Sequence, residues 1–447
     1  MTRSHNLGEE AFTKLQGFAT RRTLLRGAAA GAAGLGLSTL GGRVGQPVAR
    51  AAQDAVCDGA EARISYGIWD AAQKPGVDAQ IAAFNALHPN ITVEVQIVPW
   101  DDYWTKLQTG VAGGSSYDVF WINADNLPVY ASQGALVSIQ DAIDDGSIDA
   151  EAYPESLRAI YTFDGTVYGI PRDFDTIALF YNKDHFDKAG LDYPTAEWTW
   201  DDLRAAAEKL TLKEGDNTTQ WGYAAGMGGQ QNWYNLIWQN EGHIMNEELT
   251  ETLLGEEASC EAMLFAGDFV TDGLSPSVAV MQANDPHEML FPAGVISMIS
   301  AGSWNSRTFA EAQPNVAVVP LPQGKQRASA IHGLANVIWS GSQNQCAALE
   351  WVKFLASSEA EQILGDTATV IPAMQGLQDS FLASIPTLDL QVFLDAVEYS
   401  FPVPNPQAGG EWETNVQEVL AEGWSGGIPR EEMCARIAEA ATAGLEA

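Results

Sequence analysis

Arg63-Ile64-Ser65-Tyr66-Gly67-Ile68-Trp69, the stripe Val77, Ile81, Phe84 and Leu87, and then Ile91-Thr92-Val93-Glu94-Val95-Gln96-Ile97-Val98 together decide the fold. The first run is strand-like, and the stripe recurs at helical spacing. In the last run Ile91, Val93, Val95 and Ile97 fall on one face of an extended chain, because side chains alternate along a strand. Working outward, Tyr103, Leu107 and Val111 predict a second helix, and Tyr117 to Ile122 predicts a buried strand. Strand, helix, strand, helix, strand closes as right-handed crossovers on a parallel sheet, an α/β architecture.

A second α/β stretch begins after Tyr168-Gly169-Ile170-Pro171. Ile177 to Tyr181 reads as a strand. Thr199-Trp200-Asp201-Asp202 carries a helix N-cap pattern, followed by Trp200, Leu203, Ala207 and Leu210 on one face. Val295 to Ser300 and Val316 to Val319 predict further strands and Cys346 to Ala356 a helix, while Phe401 to Gly410 is a Pro/Gly-rich connector. There is no internal repeat. A chain of 447 residues with 46% apolar content exceeds one ordinary compact domain, so two lobes are expected.

The N-terminus reads as an address. Thr20-Arg21-Arg22-Thr23-Leu24-Leu25-Arg26 runs into a Gly- and Ala-rich apolar segment ending near Leu40, with small residues at Ala49-Arg50-Ala51. Residues 1–52 therefore predict a twin-arginine export signal and an exported, periplasmic or cell-surface protein. Removing them takes away seven of the 23 bases and two of the 58 acids, moving the formal charge from −35 to −40. So acidic a chain excludes nucleic acid as a partner class, because phosphate binding needs a basic surface. Cys57, Cys260, Cys346 and Cys434 allow up to two disulfides in an oxidising compartment, with pairing open. No Cys-x-x-Cys or His-x-x-x-His spacing occurs, so a dedicated zinc site has no support; no metal and no cofactor are expected.

The segments Gly169-Ile170-Pro171, Ala178-Leu179-Phe180-Tyr181-Asn182-Lys183 and His185-Phe186-Asp187-Lys188-Ala189-Gly190-Leu191 resemble the solute-binding proteins of ABC importers, in particular the carbohydrate-binding group that includes maltose-binding proteins. Asp118-Val119-Phe120-Trp121, Tyr130 to Leu136, Trp198 to Leu203, Ala207 to Thr211, Ala301-Gly302-Ser303-Trp304 and Trp351-Val352-Lys353-Phe354-Leu355 are similar and follow in the expected order. The resemblance implies a two-lobed periplasmic-binding-protein fold that closes by hinge bending on a ligand between its lobes. It implies crossings near Ile170 to Asp175, Ser329 to Gly333 and Val370 to Ala373. Lobe 1 would then comprise residues 53–171 plus 333–371, and lobe 2 residues 172–332 plus 372–447. It also implies a non-enzymatic, monomeric capture protein that delivers a mono- or oligosaccharide to membrane permease subunits, with the ATPase on a separate chain.

Sugars present apolar C–H faces ringed by hydroxyls, so their sites need flat aromatic platforms and planar polar side chains. The chain has 14 tryptophans. By resemblance, Trp304 and Trp412 fall on the aromatic positions that stack on sugar in the second lobe. Trp69 with Asp70 and Gln73, and Trp121 with Asn123 and Asp125, follow or end strands of the parallel sheet, where open α/β sheets bind ligands. Asp173 and Asp175 are two apart on an extended segment and point to one side. Asp175 matches an acidic position at the first crossing of maltose-binding relatives. Gln230, Gln231 and Trp233 occupy a Gly-rich loop from which relatives contact ligand. His332 stands beside Gly333 at the second crossing, where the family often has paired glycines, and is a departure from its pattern.

Two other readings compete. Asp173 and Asp175 could form a glycosidase pair, since same-side positions on one strand lie typically about 7 Å apart. No nucleophile elbow, zincin or nucleotide motif accompanies them, and Gln323-Gly324-Lys325-Gln326 lacks the first glycine and the Ser/Thr of a phosphate loop. The same fold could instead hold a polyamine or other small cation in an aromatic box with carboxylates.

Overall fold

The computed structural model describes residues 59–446 apart from 216, 368 and 369. The export segment and Cys57 lie outside the described residues. In the first part of the chain β1 (Ala62–Ile68), β2 (Ile91–Ile97) and β3 (Val119–Asn123) alternate with helices Lys74–Leu87 and Trp100–Ala112. β1 pairs in parallel with both β2 and β3, as the strand–helix alternation predicts. Along β2 the apolar residues Ile91 and Val93 are buried while Thr92 and Glu94 are exposed, which is the pleat expressed as burial.

A small hairpin, β4 (Thr162–Phe163) with β5 (Thr166–Val167), precedes β6 (Ile170–Pro171) and β7 (Asp173–Asn182). Beyond them come β8 (Leu212–Glu214), β9 (Asn217–Ala224), β10 (Ile296–Gly302), β11 (Val316–Pro320), β12 (Ser329–His332), β13 (Leu334–Ile338), β14 (Ile371–Pro372) and β15 (Ser400–Pro402). The first sheet has the order β2-β1-β3-β13-β6, and the second β15-β12-β7-β10-β9-β8 with β11 and β14 also on β7. The first sheet is mixed, because β13 runs antiparallel to both β3 and β6. Every residue of β7 is buried, as suits the central strand of a covered sheet.

Two of the expected crossings are single residues. Arg172 alone separates β6 in one sheet from β7 in the other, and Gly333 alone separates β12 from β13. At the third, β14 pairs Ile371 with Phe174 and Pro372 with Asp173, at the start of β7. Gly333 is required by close approach: a Cβ there would sit 2.3 Å from the Asp173 carbonyl oxygen. The helix after β14, Gln378–Ser384, packs on helix Ser358–Asp366, so the apolar core of the first sheet runs on to one face of the second.

The other face of the second sheet is covered by a separate core that includes Leu203, Ala207 and Leu210 of helix Trp200–Leu210. That helix opens with a full capping box between Thr199 and Asp202. Helix Glu257–Thr271 is bonded to helix Arg430–Leu445 by the disulfide Cys260–Cys434, and Cys346 is disulfide-bonded as well. Among the described residues no helix is long and apolar enough to cross a membrane.

Candidate functional site

The site grows from the carboxyl ends of β1 and β3. Asp70 caps the turn after β1, one carboxylate oxygen accepting from the Ala72 amide at 2.8 Å. Its other oxygen accepts from Gln73 Nε2 at 3.0 Å, and Gln73 Oε1 accepts from Arg172 Nη1 at 2.9 Å. Asp70 and Gln73 therefore serve to aim a guanidinium. The Arg172 side chain is only 3% exposed, and its guanidinium lies 4.5 Å over the Trp121 ring and pairs with Asp173 at 2.6 Å. Its Nη2 is buried with no hydrogen-bond partner among the described residues.

Trp121 is fully buried. Its Nε1 donates to Tyr66 Oη at 2.5 Å, which in turn donates to Asn336 at 2.5 Å. It is a floor beneath Arg172, whereas Trp69, beside it at 5.2 Å, keeps part of its surface open. Asn123 is buried; its Oδ1 accepts from the Asn126 side chain at 2.8 Å and its Nδ2 donates to Asp125 Oδ2 at 3.2 Å. The other Asp125 oxygen is buried without a partner among the described residues. Burial, and then the charge of Glu413, hold the Asp125 pKa well above the usual carboxylate range.

The crossing segments bring the two sheets' side chains together. Asp173 Oδ1 accepts from the Leu334 amide at 2.8 Å, tying the first crossing to the second. Burial raises the Asp173 pKa, with Arg172 and the Leu334 amide pulling against it. Asp175, two residues on, accepts from Gln230 Nε2 at 2.7 Å and lies 4.0 Å from His332 Nδ1. Its pKa is also pushed well up, by burial first and the Asp173 charge second. His332 Nε2 accepts from the Ala124 amide at 3.3 Å, so the strand end of one sheet touches the loop after β3 in the other. Burial lowers the imidazole pKa to about 4, leaving the ring neutral with its proton on Nδ1 toward Asp175. Gly333 contributes its carbonyl, which accepts from Tyr161 Oη at 2.5 Å.

On the side of the second sheet, Gly229–Trp233 forms a π-helical turn, a feature common at functional sites. Gln230 reaches Asp175 from it. Gln231 Oε1 accepts from the Gly302 amide and from Asn305 Nδ2, both at 3.1 Å, and so fixes the turn that carries Trp304. The Trp304 ring lies against Gly302, where a Cβ would come within 1.9 Å of it, and remains partly exposed. Trp233 and Trp412 are buried in the second core: Trp233 donates to the Met227 carbonyl at 2.7 Å, and Trp412 stacks on Tyr234 at 6.1 Å. Of the five tryptophans expected at the ligand, Trp69 and Trp304 keep accessible surface and Trp121, Trp233 and Trp412 do not.

Residues that sequence reasoning passed over complete the site. Glu413 accepts from the Gly229 amide at 2.8 Å and from Tyr234 Oη at 2.7 Å, holding the π-helical turn to helix Glu411–Trp424. Arg172, which is not among the site residues expected from the sequence, is the hub of the first crossing. The signal for Arg172 was its place as the one base in the segment Ile170 to Asp175. Nothing local marks Glu413.

Two sheets joined at single-residue crossings, with polar groups from both converging between them, define a hinged binding protein. Residues 70–362 match the family model for bacterial extracellular solute-binding proteins, and the chain belongs to that family. A binding protein of Brucella abortus (strain 2308) is 27% identical over 310 residues, 67% of this chain and 72% of the relative. The galactooligosaccharide-binding protein of Bacillus subtilis (strain 168) is 24% identical over 363 residues, 77% of this chain and 81% of the relative. An ABC substrate-binding protein from Listeria monocytogenes, solved in complex with cycloalternan, superposes with a TM-score of 0.80 at 28% identity, covering 86% of this chain and 98% of that one.

Proposed function

We propose that this chain is the capture subunit of an ABC importer that takes a mono- or oligosaccharide into the crevice between its two sheets and delivers it to membrane permease subunits, without catalysis of its own. The observation that carries this is the meeting of the two sheets where His332, at the end of β12, accepts from the Ala124 amide in the loop after β3, with the rings of Trp69 after β1 and Trp304 after β10 left part-exposed. An aromatic face beside carboxylates and amides with spare bonding capacity suits a polyol. Two of the similar proteins above carry a saccharide in their names, a galactooligosaccharide in one and cycloalternan in the other, in line with this reading. A polycation fits less well, because Asp173 is already paired with Arg172 and burial pushes the Asp125 and Asp175 carboxyls toward their neutral form.

In this reading Trp69 and Trp304 stack on sugar and Asp125, Asp175, Gln230 and His332 meet its hydroxyls. Asp70, Gln73, Asn123, Asp173, Gln231, Gly333 and the buried rings of Trp121, Trp233 and Trp412 shape the site from behind. The lobes divide as 53–171 plus 333–371 and 172–332 plus 372–447, the protein works as a monomer, and residues 1–52 direct twin-arginine export. The Cys260–Cys434 disulfide supports an oxidising compartment. Trp304→Ala tests the site: calorimetric titration with a saccharide that the parent binds should show affinity reduced at least tenfold, with the melting temperature within about 3 °C of the parent. Parent-like affinity in that variant would remove Trp304 from the site.

A further inference from the structure

Of the 14 tryptophans, Trp100 alone is exposed, at 48%. It stands three residues beyond β2, at the carboxyl end of the outermost strand of the first sheet. A single exposed apolar ring needs no explanation by itself. This one ends a file of ring contacts: Trp121 in β3 meets Trp69 after β1 at 5.2 Å, and Trp69 meets Trp100 after β2 at 5.3 Å. The file follows the strand order β2-β1-β3 along the carboxyl edge of the sheet, the edge that carries the ligand side of α/β proteins. Trp104 packs edge-on beside Trp100 at 5.5 Å. Neither neighbour lies parallel to the Trp100 ring, at 76° to Trp69 and 89° to Trp104, so among the described residues no ring covers it face to face.

We propose that Trp100, backed by Trp69 and Trp104, is an outer ring-stacking subsite that receives a further sugar ring of an oligosaccharide whose first ring lies at Asp125 and Trp304. This deepens, and rests on, the carbohydrate reading above. Two strand spacings separate β3 from β2, roughly 10 Å, which is more than one pyranose can fill and enough for a chain of rings running along the edge. The occupant is a sugar ring because the ledge is continuous with the crevice and offers a flat apolar face, the surface that a pyranose C–H face requires.

The test is calorimetric titration of the parent, Trp100→Ala and Trp100→Phe with glucose, mannose and galactose and with the di-, tri- and tetrasaccharides of α-glucan, β-mannan and galactan series. In the series that binds, parent affinity should rise with length. Trp100→Ala should lose roughly three- to tenfold on the longer members, the worth of one aromatic contact, and nothing on the shortest. Trp100→Phe should retain most of the gain. An unchanged length dependence in Trp100→Ala, or an equal loss at every length, would overturn the subsite. A parent that binds monosaccharides alone would overturn the subsite and leave the carbohydrate reading intact, whereas a parent that binds no saccharide of any length would overturn both.

Discussion

Arg172 illustrates how much of this protein's chemistry rests on one buried side chain. Its guanidinium is held by Gln73, Asp173 and the face of Trp121. Removing one partner of a buried ion pair leaves the other charge without compensation, so Arg172→Ala should cost about 3 to 5 kcal/mol of stability, measured by urea unfolding. Trp412 shows what the sequence could and could not reveal. Trp412, Val416, Val419, Leu420 and Trp424 are buried on one helix face, a stripe visible in the sequence that points to packing. Glu413, one residue off that stripe, reaches the π-helical turn and Tyr234 instead. Its partners Gly229 and Tyr234 lie some 180 residues away in sequence, a distance over which no local pattern operates.

At the scale of elements, β1, β2 and the capped helix Trp200–Leu210 were legible because one face of each is apolar at its natural period. The short strands β6, β13 and β14 carry no such signal; their pairing depends on β3 and β7. The crossings were reached through resemblance alone. His332 at the second crossing makes a pH prediction. Its pKa falls from the ordinary 6.5 to about 4 in the folded chain. Between those values the unfolded state binds more protons, so the neutral ring's contribution is present above pH 6.5 and is lost as pH falls toward 4, up to about 3 kcal/mol. His332→Gln should flatten this part of the urea stability profile relative to the parent; an unchanged slope would show that the ring is not held neutral. The Cys260–Cys434 link spans 174 residues. Cys434→Ser should lower unfolding free energy by about 2 to 5 kcal/mol, because a long loop is closed in the unfolded chain only by the bond.

For the whole molecule, the proposed function makes the two sheets and their crossings a device for closing on a neutral, ring-shaped ligand, in a chain whose formal charge is −35. Ligand that binds only the folded chain raises its melting temperature, by about 2.7 kcal/mol of added stability at a hundredfold excess over Kd. The most direct measurement is a thermal-shift screen of residues 53–447 against mono- and oligosaccharides, with polyamines and amino acids in the same plate. A clear rise with at least one saccharide, and none with polyamines, is the predicted result. A rise confined to polyamines or amino acids would contradict the carbohydrate reading.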